Sequence, residues 1–212
     1  MITVLVAGFG PFPGAPKNPS GELVRALARR RRPAFAGARI TSAVIPTSYA
    51  AVSGEFSDLL RRHDPDTVLM FGLAARAKFV RVERRAVNAV TSVYPDAARS
   101  KISTHCFLSG APAELYIRAP VAALLHAARS TGVDARPSRD AGRYICNAAL
   151  LTALETARQS GRPKRIAFVH IPRPRPRSRT GNGKRSGRPT MASLVRAGEA
   201  VLVALLADLR RG

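Results

Sequence analysis

The 212-residue chain has no tryptophan and only two cysteines, Cys106 and Cys146. Two cysteines are too few for a disulfide framework, and they suit a reducing compartment. No stretch approaches the roughly 18 apolar residues that would span a bilayer. The opening residues, MITVLVAGFG, lack a basic region followed by a long apolar run, so they predict a strand rather than an export signal. We therefore expect a cytoplasmic protein without a membrane partner.

Acidic residues are scarce as well. The chain has 13 Asp and Glu against 35 Lys and Arg, a formal net charge of +22, and arginines cluster at 29–32 and 173–189. Such an excess is typical of nucleic-acid-binding proteins. However, aromatic residues make up only 6% of the chain and none lies in either cluster, whereas stacking on bases needs them. An arginine-rich nucleic-acid-associated protein is therefore kept only as an alternative.

Apolar runs alternate with segments of helical periodicity along the chain. This alternation predicts a single domain over residues 1–212, an α/β protein with three α/β/α layers and a mostly parallel central sheet. The Pro/Arg/Gly-rich stretch 172–189 predicts a mobile basic loop. Predicted strands lie at 2–7, 38–45, 67–72, at the start of 79–87, weakly at 133–138, and at 165–170; predicted helices lie at 18–30, 48–63, 112–130 with a break at Pro120, from about Cys146, and at 190–211.

Three side chains fall where such sheets collect functional groups, near the ends of strands or at a helix start. Cys146 lies in the first turn of a predicted helix, where free N–H groups favour a thiolate. His170 ends the run RIAFVH and could take a proton from a thiol. Glu83 could orient that imidazole. Each has a structural alternative: an inert buried cysteine, a structural histidine, and a carboxylate paired with neighbouring arginines.

The segment GFGPFPG, residues 8–14, follows the first strand but does not fit a phosphate-binding loop. Its two prolines lack the N–H groups that a phosphate cradle needs, and its glycines miss the dinucleotide spacing. A proline-rigid loop that holds Phe9 and Phe12 suits a small apolar pocket instead. The four histidines are scattered and the cysteines lack ligand spacing, so we expect no metal site. We also expect no cofactor.

Four segments together resemble the pyroglutamyl-peptidase I (pyrrolidone-carboxylate peptidase) family of cysteine peptidases. They are VLVAGFGPFPGAPKNPS near the start, VERRAVN around Glu83, AGRYICN around Cys146 and FVHIP around His170. They occur in the family's order and at similar separations across nearly the whole chain. Each motif is weak alone, but the combination is specific.

The resemblance implies a catalytic role for three residues. Cys146 corresponds to the nucleophile, His170 to the general base and acid, and Glu83 to the residue that orients the histidine. Phe9, Phe12 and Tyr144 match positions that line the pocket for the five-membered lactam ring. The implied substrates are peptides with an N-terminal pyroglutamate, hydrolysed through a thioester, and the implied assembly is a homo-oligomer.

Two segments depart from the family pattern. LAARAKF stands where many members have a Gly-Gly-Arg turn, and Val93 lies nearest to the position of an arginine that many members carry. The triad positions are unaffected, but these departures bear on substrate binding. A catalytically weak homologue that acts as a binding protein therefore stays open as a second alternative.

Overall fold

A computed structural model of the chain describes residues 1–176 and 187–211. Residues 177–186, which make up most of the predicted mobile loop, lie outside the described residues. The strands are β1 (Ile2–Phe9), β2 (Ala38–Ile45), β3 (Thr67–Leu73), β4 (Val80–Glu83), β5 (Arg85–Val87), β6 (Glu114–Tyr116), β7 (Ala135–Ser138) and β8 (Arg165–Ile171). The helices are α1 (Pro19–Ala28), α2 (Tyr49–Ala51), α3 (Ser57–His63), α4 (Val121–Arg129), α5 (Ile145–Ser160) and α6 (Met191–Arg211), with a 3-10 helix at Pro33–Phe35 and a π-helix at Val52–Phe56.

Six strands form the central sheet, in the order β2-β1-β3-β8-β4-β7. The strands β2, β1, β3 and β8 are parallel, as expected of strands that helical crossovers connect. Among the described strands of this sheet, only the β4–β8 pair is antiparallel, and β4 in turn pairs in parallel with β7. The predicted mostly parallel α/β sheet is therefore confirmed.

Helices cover both faces of this sheet. On one face α1, α4 and α6 pack against alternate strand residues such as Val4, Phe71 and Val169. On the other face α5 and the helical run from α2 to α3 pack against the intervening residues, among them Met70 and Phe168. Side chains alternate between the two faces of a strand, so a strand that is buried on both faces needs apolar residues at nearly every position. This explains the unbroken runs in β1 and β3.

The start of α1 is fixed by its capping residue. Asn18 lies at the N-cap, where its side chain accepts a hydrogen bond from Ser20 N at 3.1 Å. The Asn18 amide also donates to the Gly10 carbonyl at 2.9 Å. Asn18 thus ties the helix start to the GFGPFPG loop that follows β1.

The predicted helix over 112–130 is wrong in its first half. Glu114–Tyr116 forms β6, which pairs antiparallel with β5 in a separate two-stranded sheet, and helix α4 begins only at Val121. Pairing with β5 overrides the local helical pattern, since Leu115 then packs against the core under α5. Pro120 caps the true helix start. Within the described ranges, no helix is both long and apolar enough to span a membrane.

Candidate active site

Three separate elements carry the residues predicted to be catalytic. Glu83 is the last residue of β4, His170 is the penultimate residue of β8, and Cys146 is the second residue of α5. The strands β4 and β8 are neighbours, and α5 packs on the face of the sheet that carries Phe168. Residues far apart in the chain therefore meet at one place.

A hydrogen bond joins the carboxylate to the imidazole. His170 Nδ1 lies 2.9 Å from Glu83 Oε1, and both side chains are buried, with Glu83 fully inaccessible to solvent. The contact leaves Nε2 as the imidazole nitrogen that can exchange a proton with a reacting group. The Phe168 ring lies 4.8 Å from the His170 ring, so one face of the imidazole is shielded.

The protonation of His170 is set by opposing influences. Burial lowers the pKa, but hydrogen bonding and the negative charge of Cys146 and Glu83 outweigh it and raise the pKa of His170 to about 9. The imidazolium therefore persists at neutral pH. A cationic imidazole beside a thiol is the arrangement that stabilises a nucleophilic thiolate.

Cys146 lies at the N-terminal end of α5, where the first N–H groups have no acceptor within the helix. Among the described residues no side chain caps this end: Tyr144 is the N-cap and makes no side-chain capping bond. The free N–H groups and the helix dipole therefore act on Cys146 and on any oxygen bound beside it.

Gly72 is a site residue that the sequence analysis missed. Gly72 lies on β3 and pairs in register with His170 of the neighbouring strand β8. A Cβ atom built at Gly72 would lie only 2.8 Å from Cys146 Sγ. A side chain here would displace the thiol. The signal was present in the sequence as a glycine inside an otherwise bulky, buried strand, which often marks a close approach of another group.

The three aromatic residues predicted to line the pocket occupy two layers. The Phe12 and Tyr144 ring centroids lie 6.4 Å apart with their planes tilted by 55°, and Tyr144 is the N-cap residue of the helix that carries Cys146. Phe9 is buried in the core and stacks on Phe168 at 6.2 Å. Phe9 therefore supports the site from below, and a direct contact with a ligand stays a prediction for all three residues.

The segment from 91 to 100, which contains Val93, is docked against this site by a buried carboxylate. Asp96 is inaccessible to solvent and accepts hydrogen bonds from the backbone N–H of Tyr49, Ala98 and Ser100. Tyr144 donates its hydroxyl to the Pro95 carbonyl at 2.8 Å. Val93 itself is 65% exposed. The sequence analysis missed Asp96, whose link to this site depends on the N–H of Tyr49, a donor 47 residues away in the chain.

Tyr144 remains a neutral phenol over a wide pH range. Burial, the charge of Asp96 and the neighbouring Tyr49 and Cys146 raise the pKa of Tyr144 to about 12. Its hydroxyl therefore stays a donor to the Pro95 carbonyl while His170 titrates. The phenol keeps the 91–100 segment attached to the helix start throughout that range.

A buried amide next to the nucleophile links α5 to β5. Asn147 Oδ1 accepts from Val87 N at 2.9 Å, and Asn147 Nδ2 donates to the Val87 carbonyl at 2.7 Å. This pair of bonds imitates a strand pairing and fixes the helix start against the segment that follows Glu83. The position of Cys146 relative to Glu83 is therefore held by hydrogen bonds as well as by packing.

The remaining candidates lie elsewhere. Cys106 is in a loop, partly buried, and is not part of this cluster. In the described part of the chain no three His, Cys, Asp or Glu side chains gather as a metal site would require.

A family model described as pyroglutamyl peptidase matches residues 2–211. The chain belongs to the pyroglutamyl peptidase family. It is accordingly a hydrolase of the cysteine peptidase class, as the motifs around Cys146 and His170 imply.

Named relatives agree with this family. The chain is 36% identical over 171 residues to a pyrrolidone-carboxylate peptidase of Thermococcus kodakarensis, with 81% of each protein covered. It is 35% identical over 173 residues to pyrrolidone-carboxylate peptidase 1 of Ralstonia nicotianae, covering 81% of this chain and 79% of that protein.

The solved structures of the family also match. The pyrrolidone carboxyl peptidase of Thermococcus litoralis aligns with a TM-score of 0.88 at 27% identity, covering 100% of this chain and 96% of that one. A mutant pyrrolidone carboxyl peptidase of the hyperthermophile Pyrococcus furiosus aligns with a TM-score of 0.87 at 26% identity, covering 98% of this chain and 100% of that one. The family is thus supported by both sequence and fold.

Proposed function

We propose that this protein removes an N-terminal pyroglutamyl residue from peptides through a thioester formed on Cys146. The observation that carries the proposal is the buried Glu83–His170 hydrogen bond of 2.9 Å beside the start of α5, in a chain of this family. The named relatives are pyrrolidone-carboxylate peptidases, which supports the same substrate class.

The first half of the reaction forms the thioester. The Cys146 thiolate attacks the carbonyl carbon that joins pyroglutamate to the next residue. Free N–H groups at the start of α5 stabilise the oxyanion. The His170 imidazolium donates its proton to the departing amine as the C–N bond breaks, so the shortened peptide leaves neutral at its new N-terminus.

The second half hydrolyses the thioester. Neutral His170 takes a proton from water while the oxygen attacks the thioester carbonyl, and the C–S bond breaks. Pyroglutamate leaves, and the thiolate–imidazolium pair is restored. Glu83 keeps Nδ1 of the imidazole engaged in both halves, so that Nε2 faces the reacting atoms.

The substrate's chemistry suits an aromatic pocket. The lactam ring carries no free α-amine, so its pocket needs no carboxylate to neutralise a cation. The Phe12 and Tyr144 rings, 6.4 Å apart, supply apolar walls at the helix start. No cofactor takes part in the proposed reaction.

The test is hydrolysis of a fluorogenic pyroglutamyl amide by the purified protein, with the matching prolyl amide as a control that lacks the ring carbonyl. We expect turnover of the first substrate only. Binding of a pyroglutamyl dipeptide without any turnover would favour the binding-protein alternative instead.

The nucleophile is tested by exchanging each cysteine for serine. Cys146→Ser should abolish nearly all hydrolysis, since a hydroxyl beside His170 is a far weaker nucleophile than a thiolate. Cys106→Ser should leave most of the activity, because Cys106 lies in a loop outside the cluster. Equal losses in the two variants would contradict the assignment. Circular dichroism of both variants checks that the fold is retained.

A further inference from the structure

Glu83 has a second cationic partner besides His170. Arg81 Nε lies 3.3 Å from Glu83 Oε1, the same oxygen that contacts His170 Nδ1 at 2.9 Å. Arg81 and Glu83 are two residues apart on β4, so their side chains share one face of the strand. In the antiparallel register Arg81 lies directly opposite His170. The three side chains therefore form one contiguous group.

Neighbouring groups hold the Arg81 guanidinium in place. Its Nη2 donates to Ser138 Oγ at 2.6 Å and to the backbone carbonyl of Asp140. These acceptors belong to β7 and the turn that follows it, on the far side of β4 from His170. The arginine is 28% exposed, whereas Glu83 is fully buried. The guanidinium thus reaches inward from the sheet edge to a carboxylate that water does not reach.

The need for such a partner arises during the proposed reaction. Once His170 has donated its proton to the leaving amine, the imidazole is neutral. Without Arg81, Glu83 would then be a fully buried carboxylate with no cation beside it, a state that proteins strongly disfavour. Its second oxygen, Oε2, is buried and has no hydrogen-bond partner among the described residues.

We propose that Arg81 is a positioning residue of the catalytic group: it stays paired with Glu83 while His170 passes between its charged and neutral forms. The role rests on the proposed function, because it concerns the step in which His170 gives up a proton. Arg81 lets the proton leave because it keeps the carboxylate paired and oriented once the imidazole is neutral. It touches neither substrate nor the reacting atoms.

The sign of the expected pH effect follows from charge. Without Arg81, deprotonation of His170 would leave Glu83 unpaired, so His170 would hold its proton more tightly and the alkaline limb of activity would move to higher pH. Among the described residues, two charged or titratable groups face the His170–Glu83 pair: Arg81 on β4 and Cys146 at the start of α5. Ser138 Oγ and the Asp140 carbonyl accept hydrogen bonds from Arg81, whereas Arg85 is engaged by Glu114 and the Arg139 carbonyl.

The experiment compares three variants of the full chain. In Arg81→Gln we expect kcat to fall roughly tenfold, because the imidazole loses its fixed support, with KM little changed. The alkaline limb should move to higher pH by about half a pH unit or more. Arg81→Lys keeps the charge and should return the limb most of the way towards the wild-type position. Arg136→Gln is the matched control, since Arg136 is an exposed arginine on β7 that pairs with Asp134.

The pH dependence of Cys146 alkylation by iodoacetamide gives a second readout that needs no substrate. The alkaline limb of this profile is an inflection at the pH where His170 loses its proton while the thiolate remains. That inflection should move to higher pH in Arg81→Gln and stay in place in Arg136→Gln. If the wild type fails to hydrolyse pyroglutamyl amides, the proposed function fails, but alkylation still decides the role of Arg81. An unmoved limb in both assays, or a loss of kcat that Arg81→Lys does not relieve, would overturn the proposal.

Discussion

Burial and hydrogen bonding shift the pKa of His170 in opposite directions. Burial alone lowers the pKa of His170, but hydrogen bonds to Cys146 and Glu83 and the charge of these two residues more than compensate, so the pKa of His170 rises to about 9. The histidine is thus charged at neutral pH although it is almost inaccessible to solvent. The packing around His170 therefore sets the protonation state on which the proposed proton transfer depends.

The pH profile of hydrolysis follows from this ionisation. The active thiolate–imidazolium form is lost as the pH rises through the pKa of His170, so activity should fall on the alkaline side near pH 9. Replacing Glu83 by Gln removes a negative charge that stabilises the imidazolium. The alkaline limb should therefore move to lower pH and kcat should decrease.

Rates at saturating substrate across the alkaline range test the Glu83→Gln prediction. The Tyr144 phenol does not interfere, because its pKa is raised to about 12. An alkaline limb that stays in place in Glu83→Gln would show that Glu83 does not control His170. Arg136→Gln again serves as the control for a surface charge change.

At the scale of elements, the site depends on how closely β3 approaches the start of α5. Gly72 lies beneath Cys146, where an added Cβ would come within 2.8 Å of Sγ and within 2.9 Å of the Phe168 ring. At these separations the thiol, the Phe168 ring or the β3 backbone has to shift to admit a Cβ atom. The absence of a side chain at residue 72 is therefore a condition for the observed position of the thiol.

We expect Gly72→Ala to reduce kcat by roughly tenfold to a hundredfold, since displacement of a nucleophile by about 1 Å has effects of this size. Gly54→Ala is the matched control, because nothing lies within 4 Å of a Cβ built there, in the helical run between α2 and α3. That control should keep its activity and gain slightly in thermal stability. Steady-state kinetics and melting curves of the two variants separate the effects, and equal activities would argue against the close approach.

At the scale of the whole molecule, the chain carries a formal net charge of +22, and some of the arginines behind it form ion pairs within the fold. Arg30 and Arg32 of the first cluster pair with Glu199, at 3.5 and 2.5 Å, and so tie the end of α1 to α6. The two ends of the second cluster lie close together, since Arg175 N, near its start, donates to the carbonyl of Pro189, its last residue, at 3.0 Å. Part of the charge that suggests a nucleic-acid partner therefore has a role in the fold.

Neutralising the arginines of 173–189 to glutamine should leave peptidase activity within a few-fold of the wild type. The triad residues lie outside this segment, and its described base is held by backbone pairing at Arg175 and Thr190. Hydrolysis and binding to a short oligonucleotide at two salt concentrations are measured on both proteins. Tight, salt-sensitive binding that disappears on neutralisation would instead favour the nucleic-acid alternative.

Much of the fold could be predicted from the sequence because the signals are local. Short apolar runs such as 2–7 and 67–72 are typical of strands covered on both faces, and the helical periods between them indicate crossover connections. The motifs around Glu83, Cys146 and His170, through their resemblance to the family, likewise predicted that these three side chains act together, whereas residue type alone left each with a structural alternative.

Other features were decided by contacts between distant segments. The strand at Glu114–Tyr116 exists because β5 offers it a partner, and the local pattern favoured a helix. The reversal of β4 places Arg81 opposite His170, and the approach of β3 to α5 requires Gly72 to lack a side chain. The local sequence determines which segments favour a helix or a strand and which reactive side chains they carry. Pairing register, antiparallel direction and the distance between elements arise only when the whole core packs, because each depends on surfaces that the chain brings together from far apart.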